Sequence, residues 1–151
     1  MKKTVLLLCV FVLLTGCGST KNKKSTETKK ITCSLKQIDN GFTSISEVKV
    51  NFSNNVIDNY TTSTNIEVPD EYTNLMDTLL NQAKEPFLEY ENLSGITIDS
   101  KSDKDSIYVA LTVDSNKVEE KDLEKVNELL DLSSDYNTIK NSFEALDYEC
   151  K

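Results

Sequence analysis

The sequence predicts an α+β domain, an antiparallel sheet in the order βββ-α-ββ-α-α with helices packed on one face. Three observations carry this. Apolar residues alternate with period two in five segments between residues 31 and 113, and recur with a helical period in three others. These segments come in runs of strands separated by helices, without the regular βαβ alternation of a parallel sheet. Residues 31–151 form a stretch of 121 residues, enough for one domain around one core.

The first strand has Ile31, Cys33 and Leu35 on one face and Thr32, Ser34 and Lys36 on the other. In the second, Phe42, Ser44, Ser46, Val48, Val50 and Phe52 face away from Thr43, Glu47, Lys49 and Asn51. Asp39-Asn40-Gly41 supplies the turn between them, and Ser53-Asn54-Asn55 the next. A third strand runs through Val56, Tyr60, Ile66 and Val68, completing a meander. The period then changes. Pro69 suits a first helical position, Asp70 and Glu71 favour a helix N-terminus, and Tyr72, Leu75, Met76, Leu79, Leu80 and Ala83 form a stripe. Phe87 and Tyr90 extend that stripe, while Pro86 predicts a kink or an end near Lys84. After a loop at Asn92–Gly95 come strands through Ile96 and Ile98, and through Ile107, Val109, Leu111 and Val113. The polar link between them, residues 99–105, carries Asp99, Asp103 and Asp105. Lys101 interrupts that set and no glycine or distal glutamate follows at calcium-loop spacing, so a solvated turn is expected and no metal site. A helix over residues 119–130 turns Leu123, Val126, Leu129 and Leu130 inward. Another begins at a Ser133 or Ser134 cap and presents Tyr136, Ile139, Phe143 and Leu146.

The first 30 residues follow different rules. Lys2 and Lys3 precede an apolar run from Val5 to Leu14. As a helix that run measures about 15 Å, half of the roughly 30 Å of a bilayer core, so it reads as a signal peptide over residues 1–16. Leu14-Thr15-Gly16-Cys17 resembles a bacterial lipobox, in which the cysteine receives a diacylglyceryl group and the leader is cut before it. Two acyl chains, at roughly 0.8 kcal/mol per buried CH₂, would hold the protein on the membrane. The expected location is therefore the extracytoplasmic face of a cell membrane. Residues 18–30 contain no aliphatic or aromatic side chain. Residues 17–30 are expected to be a lipidated cysteine and a flexible tether, reaching about 45 Å if fully extended.

Charge divides at the same place. The tether carries five lysines and one glutamate, whereas residues 31–151 carry ten lysines against 24 acidic residues, a net of −14. A basic tether suits anionic head groups, an acidic domain suits a cationic protein or peptide, and binding to a phosphate backbone is excluded. Acidity also keeps a surface protein soluble and monomeric. The chain has no His, and its 17 basic residues are all lysine, which leaves no imidazole base and no guanidinium clamp. The abundance of lysine and asparagine without arginine suggests an AT-rich, Gram-positive host. Four cysteines are encoded. Cys9 leaves with the leader and Cys17 is lipidated, so Cys33 and Cys150 remain, in an oxidising setting. Their economical pairing is a disulfide closing the domain, worth about 4–5 kcal/mol in the chain-entropy model. Two free thiols or a redox pair are the alternatives.

The lipobox leader, the lysine-rich tether, "TCSLKQ" at residues 32–37, "LEYENLSGITI" at 88–98 and "SFEALDYEC" at 142–150 together resemble the YehR-like family of small bacterial lipoproteins. The resemblance spans the chain from the leader to Cys150 and includes no catalytic signature. It implies a compact α+β domain at the cell envelope with the two end cysteines bridged. It brings no site residues, because the family's function is unknown. One departure is that Asp147 stands where the family pattern has a glycine, at the end of the last helix.

Three function classes compete. A lipid-anchored binding module for a cationic partner fits the charge pattern. An enzyme would have to rely on carboxylates alone, and none sits in a recognisable motif, so no catalytic residue, cofactor or activity is expected. A ligand-capture module, such as a transporter accessory lipoprotein, would use a pocket between sheet and helix lined by Tyr60, Tyr72, Phe87 and Tyr90. Aromatics at helical spacing more often belong to a core.

Overall fold

In a computed structural model, residues 27–151 are described. The expectations for the signal peptide, for Cys17 and for the tether as far as residue 26 lie outside them. The domain is mixed α+β. Six strands, β1 (Thr28–Asp39), β2 (Phe42–Ser53), β3 (Val56–Glu67), β4 (Ile96–Ser102), β5 (Ser106–Asp114) and β6 (Glu149–Cys150), form one antiparallel sheet in the order β4-β5-β3-β2-β1-β6. Three helices complete it: α1 (Met76–Lys84), α2 (Leu123–Leu129) and α3 (Tyr136–Glu144).

Both meander turns place two residues in the left-handed region: Asn40 and Gly41 at φ 48° and 85°, Asn54 and Asn55 at 52° and 65°. This is the geometry that closes a two-residue hairpin without splaying its strands. The register then aligns the apolar set. Ile31, Val50, Tyr60, Val113 and Ile96 lie in one cross-strand row, and Cys33, Val48, Leu111 and Ile98 lie in the next. That face meets Tyr90, Val126, Leu130 and Ile139 in a single core. A smaller cluster of Val68, Ile107 and Val109 lies under Met76, Leu79, Leu80 and Ala83 of α1. The opposite face is polar. One of its rows holds Thr32, Lys49, Thr61, Thr112 and Thr97, with the Thr61 and Thr112 hydroxyls 3.1 Å apart.

Several boundaries differ from expectation. β1 begins at Thr28 rather than Ile31, because residues 28–30 pair with residues 51–53 of β2 and Asn54 N–H donates to the Glu27 carbonyl at 2.8 Å. The tether expected to end at residue 30 therefore loses its last three residues to the sheet. β4 runs to Ser102, which leaves only residues 103–105 as the turn. The segment after Pro69 opens and closes in 3-10 turns, Asp70–Leu75 and Glu85–Tyr90, on either side of α1, and Pro86 sits at the start of the second. Helix α2 spans Leu123–Leu129 only, and Leu123 is exposed rather than inward. The cap of α3 is Asp135, not Ser133 or Ser134. Its carboxylate accepts from Thr138 N–H at 2.8 Å, while Ser133 donates to Asp131. Leu146 is exposed.

Asp147 stands in the left-handed region at φ 65°. Its N–H donates to the Glu144 carbonyl and the Tyr148 N–H to the Phe143 carbonyl, both at 3.1 Å, which makes a Schellman cap. The cap thus forms without the glycine, at the cost of a side chain in a conformation that disfavours one. Asp147→Gly is expected to raise unfolding free energy by roughly 0.5–1 kcal/mol in urea titration, and no gain would mean the carboxylate has a compensating role.

Gly95 is constrained in the opposite sense. At φ +75°, a Cβ there would lie 2.7 Å from the Asp114 carbonyl oxygen and 2.9 Å from the Val118 nitrogen. Gly95→Ala is therefore expected to cost about 2 kcal/mol or more, and an unchanged urea midpoint would show that the β4 entry relaxes freely.

Candidate functional site

The four aromatics expected to line a pocket go to different places. Tyr60 and Tyr90 are buried in the main core and Phe87 packs between the two clusters. Tyr72 stands at the surface with its ring 5.2 Å from that of Phe42. None of the four lines the clefts described below. Among the described residues, no buried side-chain nitrogen or oxygen lacks a hydrogen-bond partner. Burial pushes the Tyr60 hydroxyl up to about 12. Its folded value lies above its unfolded value, so the neutral form contributes stability at ordinary pH. That contribution is lost as pH rises from about 10 towards 12. Tyr60→Phe is expected to flatten this alkaline decline, measured as urea midpoints across that range. An unchanged slope would assign the decline to other groups.

A cleft does open between α1 and the sheet. It measures about 280 Å³ and is lined by Phe42, Ile66, Val68, Leu79, Gln82, Ala83 and Ile107. Three strands supply its apolar floor, and α1 forms its wall through the small side chain of Ala83. Exposed Gln82 marks its mouth and is shared with a shallower depression reaching Glu85 and Leu88. On the other side of Val68 lies a polar cleft lined by Glu67, Asp70 and Asp105, with Asn65, Pro69 and Ser106. A backbone bond joins the two walls there, Val68 N–H donating to the Asp105 carbonyl at 2.8 Å.

The strands give these clefts a fixed place. β1 starts at Thr28, next to the β2–β3 turn and the end of β5. The opposite end of the sheet holds the connections 39–41, 67–71 and 103–105. These contain Asp39, Glu67, Asp70, Glu71, Asp103 and Asp105 against Lys104 alone. None of these six carboxylates is ion-paired among the described residues. Elsewhere carboxylates do meet lysines. Lys125 bridges Glu128 at 2.6 Å and Glu89 at 2.8 Å, and those two bonds hold its ammonium above the usual lysine range. Asp122 accepts from Ser94 N–H and hydroxyl, which holds its carboxyl below the usual range and ties the β4 entry to the start of α2.

Cys33 and Cys150 sit opposite each other in the β1–β6 pair, Cα atoms 4.0 Å apart, with their sulfurs bonded. Thr32 and Lys151 exchange backbone bonds of 3.0 and 2.9 Å beside them, so the cysteines occupy the close, non-hydrogen-bonded position of the ladder. Among the described residues, no group of three or more His, Cys, Asp or Glu is arranged to hold a metal ion. No helix among them is long and apolar enough to cross a membrane.

No family model and no curated protein matches the chain. Among solved structures, the NMR structure of a protein from Streptococcus pneumoniae TIGR4 is similar to it with a TM-score of 0.53 and 13% identity, covering 84% of this chain and 87% of that one. That likeness shows the fold alone.

The sequence reading missed the cleft because Phe42, Ile66 and Ile107 come from three strands, and each looks like an ordinary inward position. The available signal was Ala83, a small residue in a stripe of Leu and Met.

Proposed function

We propose that the chain is a lipid-anchored envelope protein of the YehR-like type, held on the extracytoplasmic face through Cys17, which binds a cationic protein or peptide. The lipobox-like Leu14-Thr15-Gly16-Cys17 supports the anchor, and the acid excess of the domain supports the partner. The observation that carries the reading is the axial placement of charge. The chain enters the sheet at Thr28, and the carboxylate-rich connections lie at the far end of the strands. A domain attached by its N-terminus would present that end outward. The reading assigns no enzymatic activity and no nucleic-acid partner.

A second reading, capture of a small apolar ligand, draws on the cleft beside α1. Its 280 Å³ lies just under the roughly 300–1,000 Å³ of pockets that enclose drug-sized ligands, which favours a side chain over a whole molecule. The test is crosslinking of the lipoprotein in its native envelope, followed by recovery at low and high salt, with mass spectrometry of the N-terminal peptide. The expected result is an acylated Cys17 and a lysine- or arginine-rich partner lost at high salt. Unmodified Cys17 would overturn the anchor. Recovery of no specific protein at either salt would overturn the cationic-partner reading.

A further inference from the structure

We infer that the cleft between α1 and the sheet docks a bulky apolar side chain of a cationic peptide segment, with the carboxylates of Glu67, Asp70 and Asp105 holding the flanking basic residues. This rests on the reading of a cationic partner and gives that partner a site.

The occupant follows from two adjoining surfaces that meet at Val68. On one side the floor is hydrocarbon, from Phe42, Ile66 and Ile107. On the other side the lining carries three carboxylates and no lysine. A wholly apolar occupant would leave those carboxylates unmatched, and a purely basic one would leave the apolar floor wet. A segment with an aliphatic or aromatic residue next to lysines satisfies both, as an anchor in a pocket with a charged rim does at protein interfaces. The carboxylates do not converge on a metal ion among the described residues, so a spread of basic side chains suits them better than a single cation. Charge at this end is also uncompensated, since the six carboxylates of the three connections make no ion pair among the described residues.

The test uses the full lipidated chain in vesicles of zwitterionic phosphatidylcholine, which themselves attract cationic peptides weakly. The probe is a fluorescein-labelled synthetic peptide of lysines around one Leu-Phe pair, read by anisotropy. Companion peptides replace Leu-Phe by Ala-Ala, or the lysines by glutamates. Two variants address the site: Ala83→Phe, which fills the cleft, and Glu67→Lys with Asp70→Lys and Asp105→Lys at exposed positions. A control reverses Glu119 and Glu120, exposed residues at the other end of the sheet. The expected result is binding of the Lys/Leu-Phe peptide, weakened about tenfold or more by either site variant and by the Ala-Ala replacement, but by only about twofold by the control. If Ala83→Phe fails to fold, the charge variant and the Ala-Ala peptide still decide. Binding that all charge reversals weaken equally, or that survives both the filled cleft and the Ala-Ala replacement, overturns the site and leaves a diffuse cationic partner standing. No binding of either lysine peptide by the native chain overturns both.

Discussion

Replacing Cys33 and Cys150 by serine, or reducing the bond in the intact chain, is expected to lower the melting temperature by roughly 10–20 °C. The bond closes a loop of 117 positions, for which the chain-entropy model gives about 4–5 kcal/mol and removal of native bridges commonly costs about 2–5 kcal/mol. The local setting adds a reason to expect a large effect. β6 has only two residues, too few to hold a strand by ladder bonds alone, and Cys33 is completely buried. Loss of the bond should therefore free the C-terminus first. Calorimetry with and without reductant measures the stability change, and hydrogen exchange at Thr32 and Lys151 reports the release. A shift of less than about 3 °C would show that β6 docks by packing alone.

Phe52→Ala is expected to cost about 3–5 kcal/mol, close to a third or more of the stability of an ordinary domain. Phe52 is 1% exposed and is the largest fully buried side chain among the described residues. It stands where β2 and β3 change register, opposite Ile57, and its ring centroid is 5.7 Å from that of Tyr136 on α3. Truncation would empty the junction between sheet and helix, where surrounding backbone is held by two ladders and cannot collapse into the space. Phe52→Leu should recover most of the loss. Urea unfolding followed by circular dichroism checks both variants. A cost under about 1 kcal/mol for the alanine variant would contradict the docking of α3 on this end of the sheet.

Strands were readable because each is half-buried, so alternation survives in Val48, Val50 and Phe52 and in Ile107 through Val113. Their ends were not. Thr28, Lys29 and Lys30 carry no apolar alternation of their own and join the strand because residues 51–53 of β2 offer partners. Helix faces were half readable. Val126 and Ile139 go inward as their spacing suggests, but Leu123 and Leu146 stay in water, where an isolated leucine costs little. The cap of α3 was expected at Ser133 or Ser134. The backbone decided for Asp135, whose extended conformation aims its carboxylate at Thr138. The disulfide was legible by counting cysteines. Tyr60 and Tyr90 serve the core, as aromatics at such spacing more often do, while the cleft beside α1 was not legible, because it depends on long-range pairing that brings Phe42, Ile66 and Ile107 together.

The length of β1 has a mechanical meaning. It extends over 12 residues from the point where the chain enters the sheet to the end that carries the clefts, paired with β2 along its whole length. A pull between a fixed N-terminus and an object gripped at the far end would run parallel to the strands. The ladder bonds lie across that direction, so they would be loaded in shear together instead of unzipping one at a time. Under the proposed attachment through Cys17, a domain so arranged would resist being tugged from its outer end, because β1 is the first strand after that attachment point.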